Sequence, residues 1–188
     1  MEFDNSFDVP LPPAEAWRWL LDIERIATCL PGAELTEVVD AQTYKGKVAV
    51  RLGPVALSFA GQAKLEQIDH AAQRARMRAT GADAKGRGST NALIDFTLEP
   101  LDEGAATRVR IHSDVTLTGS VAQYGRGAGM IQSVAAQLIK QFGECLRTRI
   151  ARAASGEVED TTKAAKPISG LSVVVRALRE GRRDSESG

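Results

Sequence analysis

The stretch Tyr44–Glu66, YKGKVAVRLGPVALSFAGQAKLE, decides the fold. Tyr44, Gly46, Val48, Val50 and Leu52 alternate with Lys45, Lys47 and Arg51. Gly53-Pro54 turns the chain, and Leu57, Phe59, Gly61, Ala63 and Leu65 then alternate with Ser58, Gln62, Lys64 and Glu66. Two runs of period two about a short turn are antiparallel strands with one dry face and one face in water.

The same period governs the chain from about residue 34 to 119. Ala75, Met77 and Ala79 alternate with Arg74, Arg76 and Arg78; Ala92, Ile94, Phe96 and Leu98 alternate with Asn91, Asp95, Thr97 and Glu99. Val109, Ile111, Val115 and Leu117 alternate with Arg108, Arg110, His112 and Asp114. Short connections bearing Gly, Asp or Asn predict a meander of six strands. Upstream, residues 2–9 read as a further strand ended by Pro10. Pro13 opens a short helix carrying Trp17, Leu20 and Leu21, since proline is tolerated in a first helical turn. Asp22 caps a second short helix with Ile23, Ile26, Ala27 and Leu30, which Pro31-Gly32 stops.

After Gly119 the period lengthens to 3.6. Ile131, Val134, Ala135, Leu138, Ile139, Phe142 and Leu146 form one stripe, which predicts a long amphipathic helix over about 120–153. Its first part holds Gly125, Gly127 and Gly129, and each glycine weakens a helix by about 1 kcal/mol relative to Ala. Two readings stand: a mobile mouth or hinge, or a loop ahead of the helix. The sum is an α+β chain. A curved seven-stranded antiparallel sheet wraps around the long C-terminal helix, with two short helices after strand 1.

Such a sheet closed by one helix leaves an internal cavity. Its candidate ligand-binding residues are Phe59, Met77, Ile94, Phe96, Tyr124, Ile131 and Val134, with plain core as the competing reading. Aromatic residues are only 5% of a chain that is 43% hydrophobic, so small side chains must line much of the interior.

The chain has 188 residues and a formal net charge of +0, with 24 basic and 24 acidic groups. That balance argues against a nucleic-acid binder. The N-terminal stretch is acidic and lacks the apolar run of a secretory signal, and no segment reaches the roughly 18 apolar residues of a membrane span. Cys29 and Cys145 lie far apart without metal-ligand spacing, and read as two reduced buried thiols of a cytosolic protein.

No nucleophile elbow, zinc-protease or phosphate-loop motif is present, and no catalytic residue or metal ligand is assigned. His70 falls in a turn and His112 on a polar strand face, so both read as surface residues. Arg74, Arg76, Arg78, Arg108 and Arg110 read as a solvated face paired across strands with Asp95 and Glu99. The competing reading is a docking patch for an acidic partner or a phospholipid headgroup.

Residues 1–154 therefore form the folded domain, 155–167 a flexible linker and 168–188 a short amphipathic basic tail. In the tail, Leu171, Val174, Val175 and Leu178 recur at helical spacing, with Arg176, Arg179, Arg182 and Arg183 around them. The gross gain from burying its aliphatics, about 10 kcal/mol, is close to the ordering cost of a dozen residues. Membrane-surface contact would therefore be weak and helped by anionic lipid. A protein groove and disorder are the alternatives.

Several stretches resemble the CoxG family of carbon monoxide dehydrogenase accessory proteins, within the START/SRPBCC helix-grip superfamily. They are Pro12-Pro13-Ala14-Glu15-Ala16-Trp17, Cys29-Leu30-Pro31-Gly32-Ala33, Tyr44-Lys45-Gly46-Lys47-Val48, Asp95-Phe96-Thr97-Leu98, Gly119-Ser120-Val121-Ala122-Gln123-Tyr124-Gly125-Arg126-Gly127 and Leu138-Ile139-Lys140-Gln141-Phe142. The resemblance implies a non-enzymatic accessory protein of a molybdenum hydroxylase of the carbon monoxide dehydrogenase type. It implies no covalent cofactor. A hydrophobic small molecule, a quinone (menaquinone or ubiquinone) or another lipid, would be bound in the cavity, with the Tyr124 hydroxyl offered to a quinone carbonyl. The enzyme would be recruited to the inner face of the cytoplasmic membrane. An assembly factor without a small ligand is the alternative reading, and a small cyclase- or hydrolase-type enzyme is a third.

Overall fold

The alternating runs pair as their period requires. The computed structural model describes residues 1–52, 54–126 and 128–156. Seven strands, β1 (Glu2–Val9), β2 (Ala33–Val38), β3 (Thr43–Leu52), β4 (Val55–Asp69), β5 (Arg74–Asp83), β6 (Ser89–Leu101) and β7 (Ala106–Leu117), form one antiparallel sheet. The strand order is β1-β7-β6-β5-β4-β3-β2, so β2 to β7 are a meander and β1 closes onto the last strand. Register keeps each apolar set on one face: Ala75 lies opposite Phe96, Met77 opposite Ile94, and Leu98 opposite Val109.

Between β1 and β2 run α1 (Pro13–Leu21), α2 (Ile23–Ile26) and a 3-10 turn over Ala27–Cys29. Proline occupies the first turn of α1, and the Asp22 carboxylate accepts the Arg25 N–H at 3.2 Å to cap α2. The long helix α3 spans Ala128–Ala154, not 120–153. Residues Gly119–Arg126 instead form a 3-10 segment. That segment is anchored by the Arg87 carbonyl, which accepts the Val121 N–H at 3.1 Å and the Ser120 hydroxyl at 2.9 Å. These tertiary bonds override the helical periodicity that continues into this stretch.

A row of glycines bends the sheet. Gly46, Gly61 and Gly81 stand in register across β3, β4 and β5. A Cβ at Gly61 would lie 1.9 Å from the Thr80 carbonyl oxygen, and one at Gly46 would lie 2.6 Å from that of Glu34. Only glycine permits strands to approach this closely while the sheet coils.

The outer face carries the arginines, each held by a carboxylate. Arg76 makes a two-pronged pair with Asp95 at 2.7 and 2.9 Å, Arg78 meets Glu66 at 2.7 Å, and Arg110 meets Glu99 at 2.6 Å. Arg108 pairs with Asp8 on β1. These are exposed pairs worth a few tenths of a kcal/mol to about 1 kcal/mol each, and they occupy the charges a docking patch would need.

Cys29 and Cys145 are not free thiols: they form a disulfide, with Cα atoms 5.4 Å apart. Cys29 is completely buried. The fold brings together residues separated by 116 positions, which spacing in the chain could not show. The bond ties the 3-10 turn after α2 to the C-terminal half of α3.

Candidate functional site

The sheet's inner face carries two separate apolar clusters. One gathers Phe7, Trp17, Leu20, Ile26, Tyr44, Phe96, Ile111 and Leu146, with Met77, Ile94, Ile139 and Phe142 packed against it. Phe7 meets Phe142 edge-on at 5.5 Å, and Trp17 lies 5.9 Å from Phe96. The other gathers Leu52, Leu57 and Val121, with Phe59, Tyr124, Ile131 and Val134 packed against it. The seven residues expected to line a cavity thus divide between the clusters. Met77, Ile94 and Phe96 stand at one end, and Phe59, Tyr124, Ile131 and Val134 at the other.

Between the clusters the inward positions are small. Ala63, Ala79 and Ala92 sit side by side in register across β4, β5 and β6, next to the glycine row. The backbone of helix α3 comes closest to the sheet at β1, at one margin, and next at β3 near the other. Met77, Ala79, Ala92 and Ile94 face inward, yet none is fully buried. Beneath a helix laid across a curved sheet, a floor of alanines and glycines stays partly accessible, with the large side chains gathered at two ends.

Both ends are held rigidly. At the first, the disulfide fixes α3 to the turn after α2, and the Arg149 guanidinium donates to the Arg25 carbonyl and to the Thr28 hydroxyl. Gly143 of α3 lets the helix sit directly on Phe7, where a Cβ would lie 2.9 Å from the Phe7 Cβ. The Trp17 indole N–H donates to Nδ1 of His70 at 3.1 Å, so this histidine braces α1 against the β4–β5 turn.

At the second end, Asp83 is buried and collects five hydrogen bonds. Its carboxylate accepts from the Arg87 guanidinium twice at 2.8 Å and from the backbone N–H groups of Ser58, Lys85 and Arg87. The bonds to Arg87, foremost, hold its carboxyl well below the usual carboxylate range. This hub joins β4, the β5–β6 turn and, through the Arg87 carbonyl, the 3-10 segment. Sequence reasoning missed it, because an Asp four residues before an Arg in a glycine-rich turn gives no periodic signal.

Of the expected hinge, Gly125 lies in the 3-10 segment, and Gly129 lies in the first turn of α3 with open space around it. Gly127 lies outside the described residues, as do the tail residues Leu171, Val174, Val175, Leu178, Arg176, Arg179, Arg182 and Arg183. The titratable groups His112, Asp95 and Asp114 face outward and are engaged: His112 Nδ1 with Asp4 at 2.8 Å, Asp95 with Arg76, and Asp114 with the N-terminal ammonium at 3.3 Å. The Asp4 hydrogen bond raises the His112 pKa above its ordinary value. Among the described residues, no helix is long and apolar enough to cross a membrane, and no His, Cys, Asp and Glu group is arranged to hold a metal ion.

A second concavity lies on the outer face. A groove of about 640 Å³ runs over the glycine row, lined among others by Lys45, Lys47, Gln62, Thr80, Ser89 and Asn91.

The sequence model of the carbon monoxide dehydrogenase CoxG family matches residues 6–151. The chain belongs to the CoxG family. The match runs from within β1 through nearly all of α3, and so takes in both the sheet and the helix laid across it. No curated protein matches the chain. Solved structures share the CoxG-family chain's fold at low identity. A conserved protein from Geobacillus kaustophilus is 21% identical with a TM-score of 0.70, covering 81% of this chain and 97% of that one. A START superfamily protein from Mycobacterium smegmatis is 13% identical with a TM-score of 0.56, covering 81% and 98%. The Zhui aromatase/cyclase from a Streptomyces species is 14% identical with a TM-score of 0.57, covering 84% and 99%. The fold is therefore the START-type helix grip. CoxG membership and this fold together point to a ligand-binding accessory protein.

Proposed function

We propose that this chain is a non-enzymatic accessory protein that holds an apolar quinone- or lipid-like molecule between its sheet and α3. Its partner would be a molybdenum hydroxylase of the carbon monoxide dehydrogenase type, which it brings to the inner face of the cytoplasmic membrane. One observation carries the reading: Met77, Ala79, Ala92 and Ile94 face inward at the centre of the sheet, Ala63, Ala79 and Ala92 stand in one row, and none of the four is fully buried. A fold held for packing alone would fill that centre with large side chains. The family match supports the partner, and the outward position of His112, Asp95 and Asp114 supports a carrier over a catalyst. Tyr124, in the second cluster, would offer its hydroxyl to a ligand oxygen, and Gly125, Gly127 and Gly129 would let the adjoining wall move. The basic tail would supply weak membrane contact.

Native mass spectrometry of protein purified from its own host, followed by solvent extraction, tests this. An apolar molecule released at one per chain is the expected result; a ligand-free protein whose chamber proves filled with side chains overturns it. The outer groove favours a second reading, an assembly factor that docks a partner protein there and carries no small ligand.

A further inference from the structure

The sheet is open at one edge. β2 is hydrogen-bonded to β3 on one side and, among the described residues, to no strand on the other. The opposite edge, β1, has α3 packed against it. Hydrogen bonds join Ala49 to Gly32 and Val39 to Thr43, and the alternation of an antiparallel ladder between these points turns the N–H groups of Leu35 and Val38 away from β3. Val38 and Val39, 43% and 46% exposed, are two of the three exposed large hydrophobic residues among the described ones. Such an edge is a template for one more strand.

Charge restricts which strand can add. Residues 33–40, AELTEVVD, hold three acids and no base. Glu37 is engaged by Lys45 at 2.9 Å, whereas Glu34 is exposed and has no ion pair among the described residues. A second copy of β2 would set acids beside acids, which opposes pairing. The edge thus refuses an acidic strand and admits a basic one. The bulge between Leu35 and Glu37 keeps the open stretch short, so an added strand depends in part on its charges.

This chain carries a segment of that kind beyond residue 156. Leu171, Val173, Val175 and Ala177 alternate with Ser172, Val174, Arg176 and Leu178, and Arg179, Arg182 and Arg183 follow. Consecutive valines favour strand. The first set is wholly apolar and suits the face of Leu35 and Val38, while the second puts Arg176 on the face of Glu34. Helix α3 delivers the segment to the right place. Cys145 is bonded to Cys29, and Arg149 donates to the Arg25 carbonyl and the Thr28 hydroxyl, so the last turns of α3 lie against the 3-10 turn Ala27–Cys29. Only Leu30-Pro31-Gly32 separates that turn from β2. Residues 157–170, about 14 in all, reach up to about 50 Å when extended, against about 20 Å for the length of β2. Tethering within that reach concentrates the segment at the edge.

We infer that residues 171–178 pair with the open edge of β2 as an eighth strand, with Arg176 beside Glu34 on the outer face. The inference stands apart from the ligand reading above. It gives the tail a resting place on the protein, from which membrane contact would have to release it.

Amide hydrogen exchange in the full chain, followed by nuclear magnetic resonance, reads the edge directly. The Leu35 and Val38 N–H groups should exchange about tenfold more slowly than in a Val174→Pro, Val175→Pro variant, which donates from neither position and is altered only outside the folded domain. Glu34→Lys and Arg176→Glu should each remove about threefold of that protection, and the two together should restore it. Equal exchange in the native chain and the proline variant overturns the inference. So does protection that rises with protein concentration, which marks a second copy at the edge, and so do charge substitutions whose losses simply add.

Discussion

Reducing the Cys29–Cys145 bond is the perturbation whose size the fold fixes best. The bond closes a loop of 116 residues. In the chain-entropy treatment, ΔS ≈ −2.1 − 1.5R ln n, that loop removes about 16 cal/mol/K from the unfolded chain, or about 4.8 kcal/mol at 25 °C. The native state loses little when the bond opens, because Arg149 still ties α3 to Arg25 and Thr28, and Gly143 still seats the helix on Phe7. The net loss should therefore be about 3–5 kcal/mol. With an unfolding entropy of about 2.1 cal/mol/K per residue over some 150 ordered residues, the melting temperature should fall by about 10–15 °C. Scanning calorimetry with and without a phosphine reductant measures this, and a Cys29→Ala, Cys145→Ala double variant repeats it without reductant. The fold should survive, since neither apolar cluster depends on the sulfur atoms. Alkylation of two cysteines in protein denatured without reductant, or a melting temperature that reductant leaves within about 2 °C, would refute the reasoning.

Two further outcomes follow from single contacts. Gly61→Ala places a Cβ against the Thr80 carbonyl and the Gly81 Cα, both backbone, so strands β4 and β5 must separate; urea unfolding should show a loss of about 3 kcal/mol, and an unchanged midpoint would remove the glycine row from the account. His112 titrates above its ordinary value because Asp4 holds the charged ring, so the stability it adds is present below about pH 6.5 and fades as pH rises through the raised pKa. Titration by nuclear magnetic resonance should show that pKa dropping in Asp4→Asn, and a ring unmoved by the substitution would show that Asp4 does not hold it.

Much of the architecture was legible because it depends on periodicity. Two-residue alternation in YKGKVAVRLGPVALSFAGQAKLE and its successors can be buried on one face only by an antiparallel sheet, and the Ile131-to-Leu146 stripe only by a helix laid on that face. The outward place of His112 and the arginine rows followed from the same alternation, and the register confirms it. The start of α3 was misplaced because its period runs on into residues 119–126, where bonds to Arg87 hold a tighter turn.

The sequence by itself determined which side chains face inward, which face water, and that aromatic groups are too few to fill the interior. It could not say where those few would gather. Tertiary structure alone placed Phe7, Trp17, Phe96 and Phe142 together at one end of the sheet's inner face and left alanines at its centre. It alone joined Cys29 to Cys145 and set Asp83 under Arg87. The physical reason is range. Periodicity records the choice between core and solvent at each residue. The disulfide and the gathering of the aromatic side chains are instead meetings between residues far apart in the chain, and only the curved sheet and the helix across it bring them together.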